Sequence, residues 1–501
     1  MSSVVVVGAG VGGLAAAARL AAAGHEVTVC EAAAEVGGKL GLVETATANG
    51  TFRFDTGPSL LTLPHLLLEV LDDTGGVPGD LHLTPLDPVA RYRFPDGVVL
   101  DASSDLDEHC RRLDASLGPG AGDDWRRFAR RAARAWEASR GPFLEQPLDG
   151  ARSLLRLAAR RPQDLPAVAP WTTLRRLART TLRDPRLRTY AERYATYTGS
   201  DPRRAPAALA AVAHAEQAFG GWYVRGGLHR IAEVLAGRVV ECGGAVRLGA
   251  RVEAVEVRGG RAAGVGLDTG ERLTADVVVA NADASVVLDR LLPREATRSA
   301  RRRLGRATPS LSGFVVLLAV EGRTPGLAHH NVLFPADYDA EFDAVFGAPA
   351  RPVDDPTLYV SAPDDTAVRP DGCEAWFVLV NAPRHGSGPG ALDWRRPGLA
   401  DRYAERLLDL LAARGLPVRD RVLAQHVLSP ADLEQRTAAP GGAIYGTSSN
   451  GAAAAFLRPA NRSPVPGVYL VGGSAHPGGG LPLVLLSARI VAGLVERDLR
   501  R

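Results

Sequence analysis

The stretch Val4-Val5-Val6-Val7-Gly8-Ala9-Gly10-Val11-Gly12-Gly13-Leu14 decides the fold. Four consecutive valines suit a buried strand. The glycines stand at Gly-x-Gly-x-x-Gly spacing, and the alanine-rich run from Leu14 to Ala23, closed by Gly24, predicts a helix. Val27 to Cys30 predicts a second strand, with Glu31 at its C-terminal end. Strand, glycine turn, helix, strand and acid, in that order, make a dinucleotide-binding unit. Gly8 permits the tight turn. Gly10, with Gly12 in the same turn, lets backbone approach a pyrophosphate, and Gly13 lets helix settle on strand. The helix N-terminus turns free N–H groups and a positive dipole end toward the phosphates. Glu31 is placed to accept hydrogen bonds from the ribose hydroxyls, which favours FAD or NAD over NADP.

The residues after the acid separate FAD from NAD. Gly37-Gly38-Lys39 forms a second glycine turn, followed by Phe52-Arg53-Phe54-Asp55-Thr56-Gly57-Pro58-Ser59. This arrangement resembles the FAD-binding domain of the amine oxidase and carotenoid desaturase superfamily. In that superfamily the second turn brings backbone and a basic side chain near the phosphates and ribose, and the stretch with Gly57, Pro58 and Ser59 lies by the flavin. Lys39 is unusual in its own right, because it is the one lysine among 59 basic residues. A compact ammonium at this turn suits a place where a guanidinium would clash; the other reading is an ordinary exposed lysine.

Further along, Val252 begins an alternating strand, and Val277 to Ala280 is a buried strand ending in Asn281. Both resemble later returns of the chain into the FAD domain, with Val252 against the adenine. Near the C-terminus, strand Val468 to Val471 runs into Gly472-Gly473-Ser474-Ala475-His476-Pro477-Gly478-Gly479-Gly480-Leu481-Pro482, and a helix follows. Pro482 fits a first helical turn. The backbone from Gly473 to Gly480 and Leu481 is expected to face the anionic edge of reduced flavin. His476 has three readings: loop cap, flavin contact or proton acceptor.

Composition narrows the class. The chain has 501 residues, 46% hydrophobic and 23% charged, an ordinary globular balance for two or three domains. The net charge of +3 conceals a split: residues 111–204 carry 21 Arg against 10 acids, a local +11 that leaves −8 elsewhere. Within that segment, Ser153 to Arg161 and Trp171 to Arg179 mix Leu or Trp with Arg at helical spacing. Such helices suit an anionic membrane surface, or else the solvated face of a packed subdomain. Sparse aromatic interleaving argues against nucleic acid. Four scattered cysteines make neither a zinc site nor a redox pair, so no metal is expected. With no basic leader and no long uncharged apolar run, the expected location is cytoplasmic and peripherally membrane-associated.

The chain as a whole resembles the bacterial phytoene-desaturase family of FAD-dependent carotenoid desaturases. Beyond both FAD ends, the likeness rests on Tyr194 to Pro202, Gly220 to Leu228, Leu327 to Pro335 and Tyr445 to Asn450. The closest branch is that of the hydroxycarotenoid 3,4-desaturases. The resemblance implies an α/β, Rossmann-like FAD domain from residues 1–75, 225–290 and 465–501. It also implies a helical insertion for substrate and membrane over 76–224, and an α+β substrate domain over 291–464. Arg156 matches an arginine proposed as catalytic in some members, whereas Ser153 stands where they carry an acid.

The implied reaction removes a hydride and a proton from adjacent carbons of a linear polyene, with quinone or oxygen as the final electron acceptor. A polyene-stabilised cation loses its proton readily, so a strong base is not required. The alternatives are a redox-neutral flavin-dependent isomerase or cyclising enzyme, and a flavoprotein without catalysis. An amine oxidase would want an aromatic cage, and nothing near His476 supplies one.

Overall fold

The structure, a computed structural model, describes residues 1–148, 159, 162–169, 171–451 and 454–500. At its centre is a five-stranded parallel sheet in the order Val468–Leu470, Val277–Ala280, Ser3–Val7, Glu26–Cys30, Ala245–Arg247. Its strands come from the beginning, middle and end of the chain. The first strand lies in the middle and alternates its side chains between two cores. Val4 and Val6 meet the helices, whereas Val5 and Val7 meet an antiparallel three-stranded sheet, residues 252–274, on the other face. This two-sided burial is why the strand is apolar at every position.

Helix Val11–Ala22 lies between helices Arg230–Glu241 and Leu481–Leu499. Ala15, Ala16, Ala17 and Ala18 are all fully buried. Alanine on every face lets this helix touch sheet and neighbouring helices together, where larger side chains would hold them apart.

A second, seven-stranded sheet follows the order Val422–Leu428, Ser312–Glu321, Cys373–Ala382, Leu358–Ser361, His330–Leu333, Ala90–Arg93, Val99–Ala102. The last two strands come from residues 76–224. Ala90–Arg93 runs parallel to His330–Leu333, so the first insertion and residues 291–464 share one sheet. The rest of the first insertion is largely helical, with Ala121–Ser139 burying Trp125 and Phe128.

The Arg-rich helix Leu174–Thr181 starts with the Thr173 hydroxyl accepting from the Arg176 N–H. Leu174, Leu177 and Ala178 turn inward into the protein. Arg175 pairs with Glu192 and Asp339, while Arg176 and Arg179 are exposed. Trp171, just before the helix, is 68% exposed. The leucines of this helix therefore pack into the protein core, whereas Trp171, Arg176, Arg179 and Thr180 face outward. The companion segment Ser153 to Arg161 falls, apart from Ala159, outside the described residues. No helix among the described residues is long and apolar enough to cross a membrane.

Candidate active site

The site is a cradle of closely approaching backbone. Gly8 has φ +97°, a conformation that disfavours any side chain, and its N–H donates to the Cys30 carbonyl at 2.7 Å. A Cβ on Gly10 would stand 2.7 Å from Asn281 Nδ2, and one on Gly12 would stand 3.0 Å from Asn281 Oδ1. A Cβ on Gly13 would overlap the Gly8 carbonyl oxygen. No side chain caps helix Val11–Ala22, so its first N–H groups remain open for phosphate oxygens.

Asn281 joins the two glycine-rich turns. Its N–H donates to Val7 O at 2.8 Å, continuing the sheet, and its Nδ2 donates to Gly8 O at 3.4 Å. From the other side, a Cβ on Gly472 would meet Asn281 Oδ1 at 2.6 Å. One amide side chain thus fills the space between the first and last glycine turns.

The Glu31 carboxylate accepts from the Ala9 N–H at 2.7 Å and the Ala33 N–H at 2.8 Å, which ties the first turn to the second strand. The Gly37 N–H donates to Ala9 O at 2.8 Å, laying the second glycine turn along the first. A Cβ on Gly38 would stand 3.3 Å from Gly10 Cα. Ala250 donates its N–H to Glu31 O at 2.7 Å, so Val252 begins its strand beside the acid.

Lys39 is half-buried rather than exposed. Its Nζ donates to Ala443 O at 2.8 Å and to Ile444 O at 2.6 Å. Burial lowers its pKa, opposed by the negative charge of Asp283. Gly57 is required by the same turn, since a Cβ there would overlap the Lys39 carbonyl. Pro58 and Ser59 are half-buried, and Ser59 Oγ lies 2.6 Å from Tyr359 Oη. Asp55 accepts from the Leu228 and His229 N–H groups, each at 2.8 Å. It thereby anchors the segment leading into helix Arg230–Glu241, and burial pushes its carboxyl up to about 6.

At the C-terminal turn, Gly480 precedes helix Leu481–Leu499 with no side-chain cap, and Pro482 stands in the first helical turn. A Cβ on Gly479 would meet the Tyr445 ring at 2.5 Å. Arg458 binds the carbonyls of Tyr445, Gly473 and Thr447 at 3.2, 2.9 and 2.6 Å and so fixes Gly473. Burial lowers the Arg458 pKa to about 10.

His476 turns toward the first insertion. Its Nε2 lies 2.9 Å from Gln146 O, which can only accept, and its ring meets Phe143 edge-on at 5.7 Å. Its own carbonyl accepts from Asn461 Nδ2 and Ser487 Oγ. Burial brings its pKa down to about 4, so the ring is neutral near pH 7. Of the three readings, this geometry favours the loop cap. Arg156 and Ser153 lie outside the described residues. Among the described residues no group of His, Cys, Asp and Glu could hold a metal ion.

The structure brings Gly8, Gly10, Gly12, Gly13, Glu31, Gly38 and Asn281 into one cradle with the turn of Gly473. The sequence reading did not single out Asp55, Tyr359, Tyr445 or Arg458. Asp55 and Tyr445 carried a signal, as members of the family-like stretches Phe52 to Ser59 and Tyr445 to Asn450.

The cradle is one that a flavin dinucleotide fits: glycines where a Cβ would fill the space, an acid at the ribose end and uncapped helix starts at both glycine turns. Together with the doubly covered parallel sheet, it defines an FAD-dependent oxidoreductase. Residues 11–369 match the family model of flavin-containing amine oxidoreductases. The hydroxyneurosporene desaturase of Cereibacter sphaeroides is 37% identical over 99% of this chain and 98% of its own. The 1-hydroxycarotenoid 3,4-desaturase of a Flavobacterium species is 31% identical, covering 99% of both. The neurosporene-forming phytoene desaturase of Rhodobacter capsulatus is 31% identical over 99% of this chain and 94% of its own. Among solved structures, an oxidoreductase from Methanosarcina mazei superposes with TM-score 0.64 at 18% identity over 99% of this chain and 100% of its own. Cyclohexylamine oxidase from Brevibacterium oxydans gives 0.63 at 18% over 100% of both. The chain belongs to the flavin-containing amine oxidoreductase family, in its carotenoid-desaturase branch.

Proposed function

We propose that this protein desaturates a linear carotenoid, removing a hydride and a proton from adjacent carbons, and that its substrate carries a hydroxyl near the reacting end. The observation that carries the reading is the glycine cradle closed around Asn281, in a chain similar over its full length to carotenoid desaturases. Bound FAD supplies the hydride acceptor. The protein's part is to bind, align and keep water out. Gly8, Gly10, Gly12, Gly13, Gly38 and Gly473 bring backbone to the cofactor, Glu31 takes its ribose end, and Val252 its adenine. Gly57, Pro58, Ser59, Gly480, Leu481 and Pro482 flank the flavin. Lys39 holds the second glycine turn to residues 443–444, and His476 holds the last turn to the first insertion. The seven-stranded sheet forms the wall of the substrate domain.

The polyene is as apolar as lipid, so the enzyme collects it at a membrane surface and passes the electrons to a quinone or to oxygen. Trp171, Arg176 and Arg179 are the outward groups suited to that contact. A desaturase and a redox-neutral isomerase part company without an electron acceptor. Holoenzyme under anaerobic conditions should convert one equivalent of polyene per flavin, bleach and stop. Continued turnover by photoreduced enzyme would reject desaturation.

A further inference from the structure

One buried polar cluster is unused by the cofactor cradle. Arg193 sits with its guanidinium carbon 5.6, 5.1 and 5.9 Å from the ring centroids of Tyr92, Tyr197 and Tyr359. Arg193 Nη1 donates to Tyr197 Oη at 3.0 Å, and Tyr197 donates onward to Glu216 at 2.9 Å. Tyr194 donates to the other oxygen of Glu216 at 2.7 Å. Among the described residues Arg193 pairs directly with no carboxylate, and its Nε and Nη2 have no hydrogen-bond partner.

On the other side of the cluster, Tyr359 Oη lies 2.7 Å from His330 Nδ1. His330 is 1% exposed, yet its Nε2 has no partner. Burial, then His329 and Arg193, push its pKa well below the ordinary value, so the ring is neutral. Whichever of Tyr359 Oη and His330 Nδ1 donates, the pair satisfies each other and leaves Nε2 as a buried polar atom that a ligand hydroxyl, able to donate or accept, can satisfy.

The cluster adjoins the residues assigned above to the flanks of the flavin. Ser59 touches Tyr359 at 2.6 Å on one flank. On the other, Tyr445, close enough to feel the Arg193 charge, packs on Gly479 of the last glycine turn. Its charges balance, one Arg193 cation against one Glu216 anion linked through Tyr197. An anionic ligand would upset that balance, whereas a neutral oxygen acceptor would not.

We propose that Arg193 and His330, held by Tyr197 and Tyr359, form the seat for a neutral hydroxyl on the end of the polyene. The seat fixes which carbon pair lies against the cofactor. This rests on the desaturase reading above and adds the residues that select its substrate. A hydroxyl one carbon away from an allylic pair reaches only a few bonds past the reacting carbons, so its seat must adjoin the flavin. The Arg193 cluster does so, between Ser59 and Tyr445. Arg193 and His330 are binding residues here; Tyr197 and Tyr359 are positioning residues.

The test is a competition assay on the holoenzyme. A 1-hydroxylated linear polyene and the same polyene without its hydroxyl are mixed, and the ratio of their kcat/KM values is read. A hydrogen bond from a charged donor predicts a preference of about tenfold or more for the hydroxylated substrate. Arg193→Met should bring the ratio to within about threefold of unity. Tyr197→Phe, which keeps the charge but frees the guanidinium, should fall between, with the change mainly in KM. The visible flavin spectrum reports whether each variant is folded and loaded. If Arg193→Met purifies without flavin, His330→Phe carries the same comparison. An unchanged ratio in the loaded variants would overturn the seat, and so would a wild-type enzyme with no preference, while desaturation itself stood. Turnover of neither polyene by flavin-loaded enzyme would instead overturn the desaturase reading and the seat with it.

Discussion

Gly10 and Glu31 act on one turn from opposite sides. Gly10 has no room for a side chain beside Asn281, and Glu31 holds the turn through the Ala9 N–H. Gly10→Val and Glu31→Ala should therefore purify colourless, with flavin absorbance per protein as the measurement; fully yellow protein would reject this placement. Lys39 makes a narrower prediction. Its ammonium fits between two carbonyls at 2.6 and 2.8 Å. Lys39→Arg forces a broad planar head into that space and should cost about 1–3 kcal/mol, seen as a lower melting temperature of the holoenzyme and faster loss of FAD. A melting curve matching wild type would show that only the positive charge matters. The turn at Gly8 was legible because one glycine in a short, local motif encodes both its φ and its close approach. Arg193, Tyr359 and Arg458 were not, because each takes its meaning from partners brought in from distant parts of the chain.

At the scale of elements, the last glycine turn and the first insertion are joined through His476, and a pH dependence follows. The folded pKa of His476 is about 4 and that of fully buried His109 about 3, both lowered chiefly by burial from an ordinary 6.5. Above pH 6.5 the rings are neutral in folded and unfolded chain alike. As pH falls below 6.5 the unfolded chain gains protons that the folded one refuses, so stability is lost progressively toward pH 4. Each histidine costs about 1 kcal/mol by pH 5.5. Asp55 has the opposite sign: its raised pKa of about 6 favours the folded state on acidification and offsets part of that loss. Thermal melts of holoenzyme should thus fall between pH 7.5 and 5.5, less steeply in His476→Gln, which keeps the donor to Gln146 and removes the titration. An equally steep fall in His476→Gln would show that this ring is not the titrating group. The Arg-rich helix Leu174–Thr181 illustrates what periodicity leaves open. Its apolar stripe was plain in the sequence, but a stripe does not say whether protein or bilayer covers it. Here Leu174 and Leu177 face the protein core.

For the whole molecule, the arginine surplus of residues 111–204 sets the expected behaviour at a membrane. Part of it is internal, as in the pairing of Arg175 with Glu192 and Asp339. Arg176, Arg179 and Trp171 remain outward. Pelleting with anionic liposomes at low salt and release at high salt are expected, at about 1 kcal/mol per contacting arginine. Trp171→Ala combined with Arg176→Gln and Arg179→Gln should weaken the binding; equal pelleting with neutral liposomes would remove the electrostatic contact. The division of the chain was legible only along its length. That strands Ala90–Arg93 and His330–Leu333 lie side by side could not be read locally, because strand pairing between segments some 240 residues apart leaves no local pattern.

The central sheet has a consequence for the order of events during synthesis. Its edge strand, Val468–Leu470, leaves the ribosome after the other four, and the glycine turn that meets Asn281 follows it. A nascent chain halted before that point has the first nucleotide-binding turn but not the wall opposite it. Cofactor capture is then a late step that follows synthesis of residues 468–480, and until it occurs the unfilled interior leaves the folding chain open to aggregation.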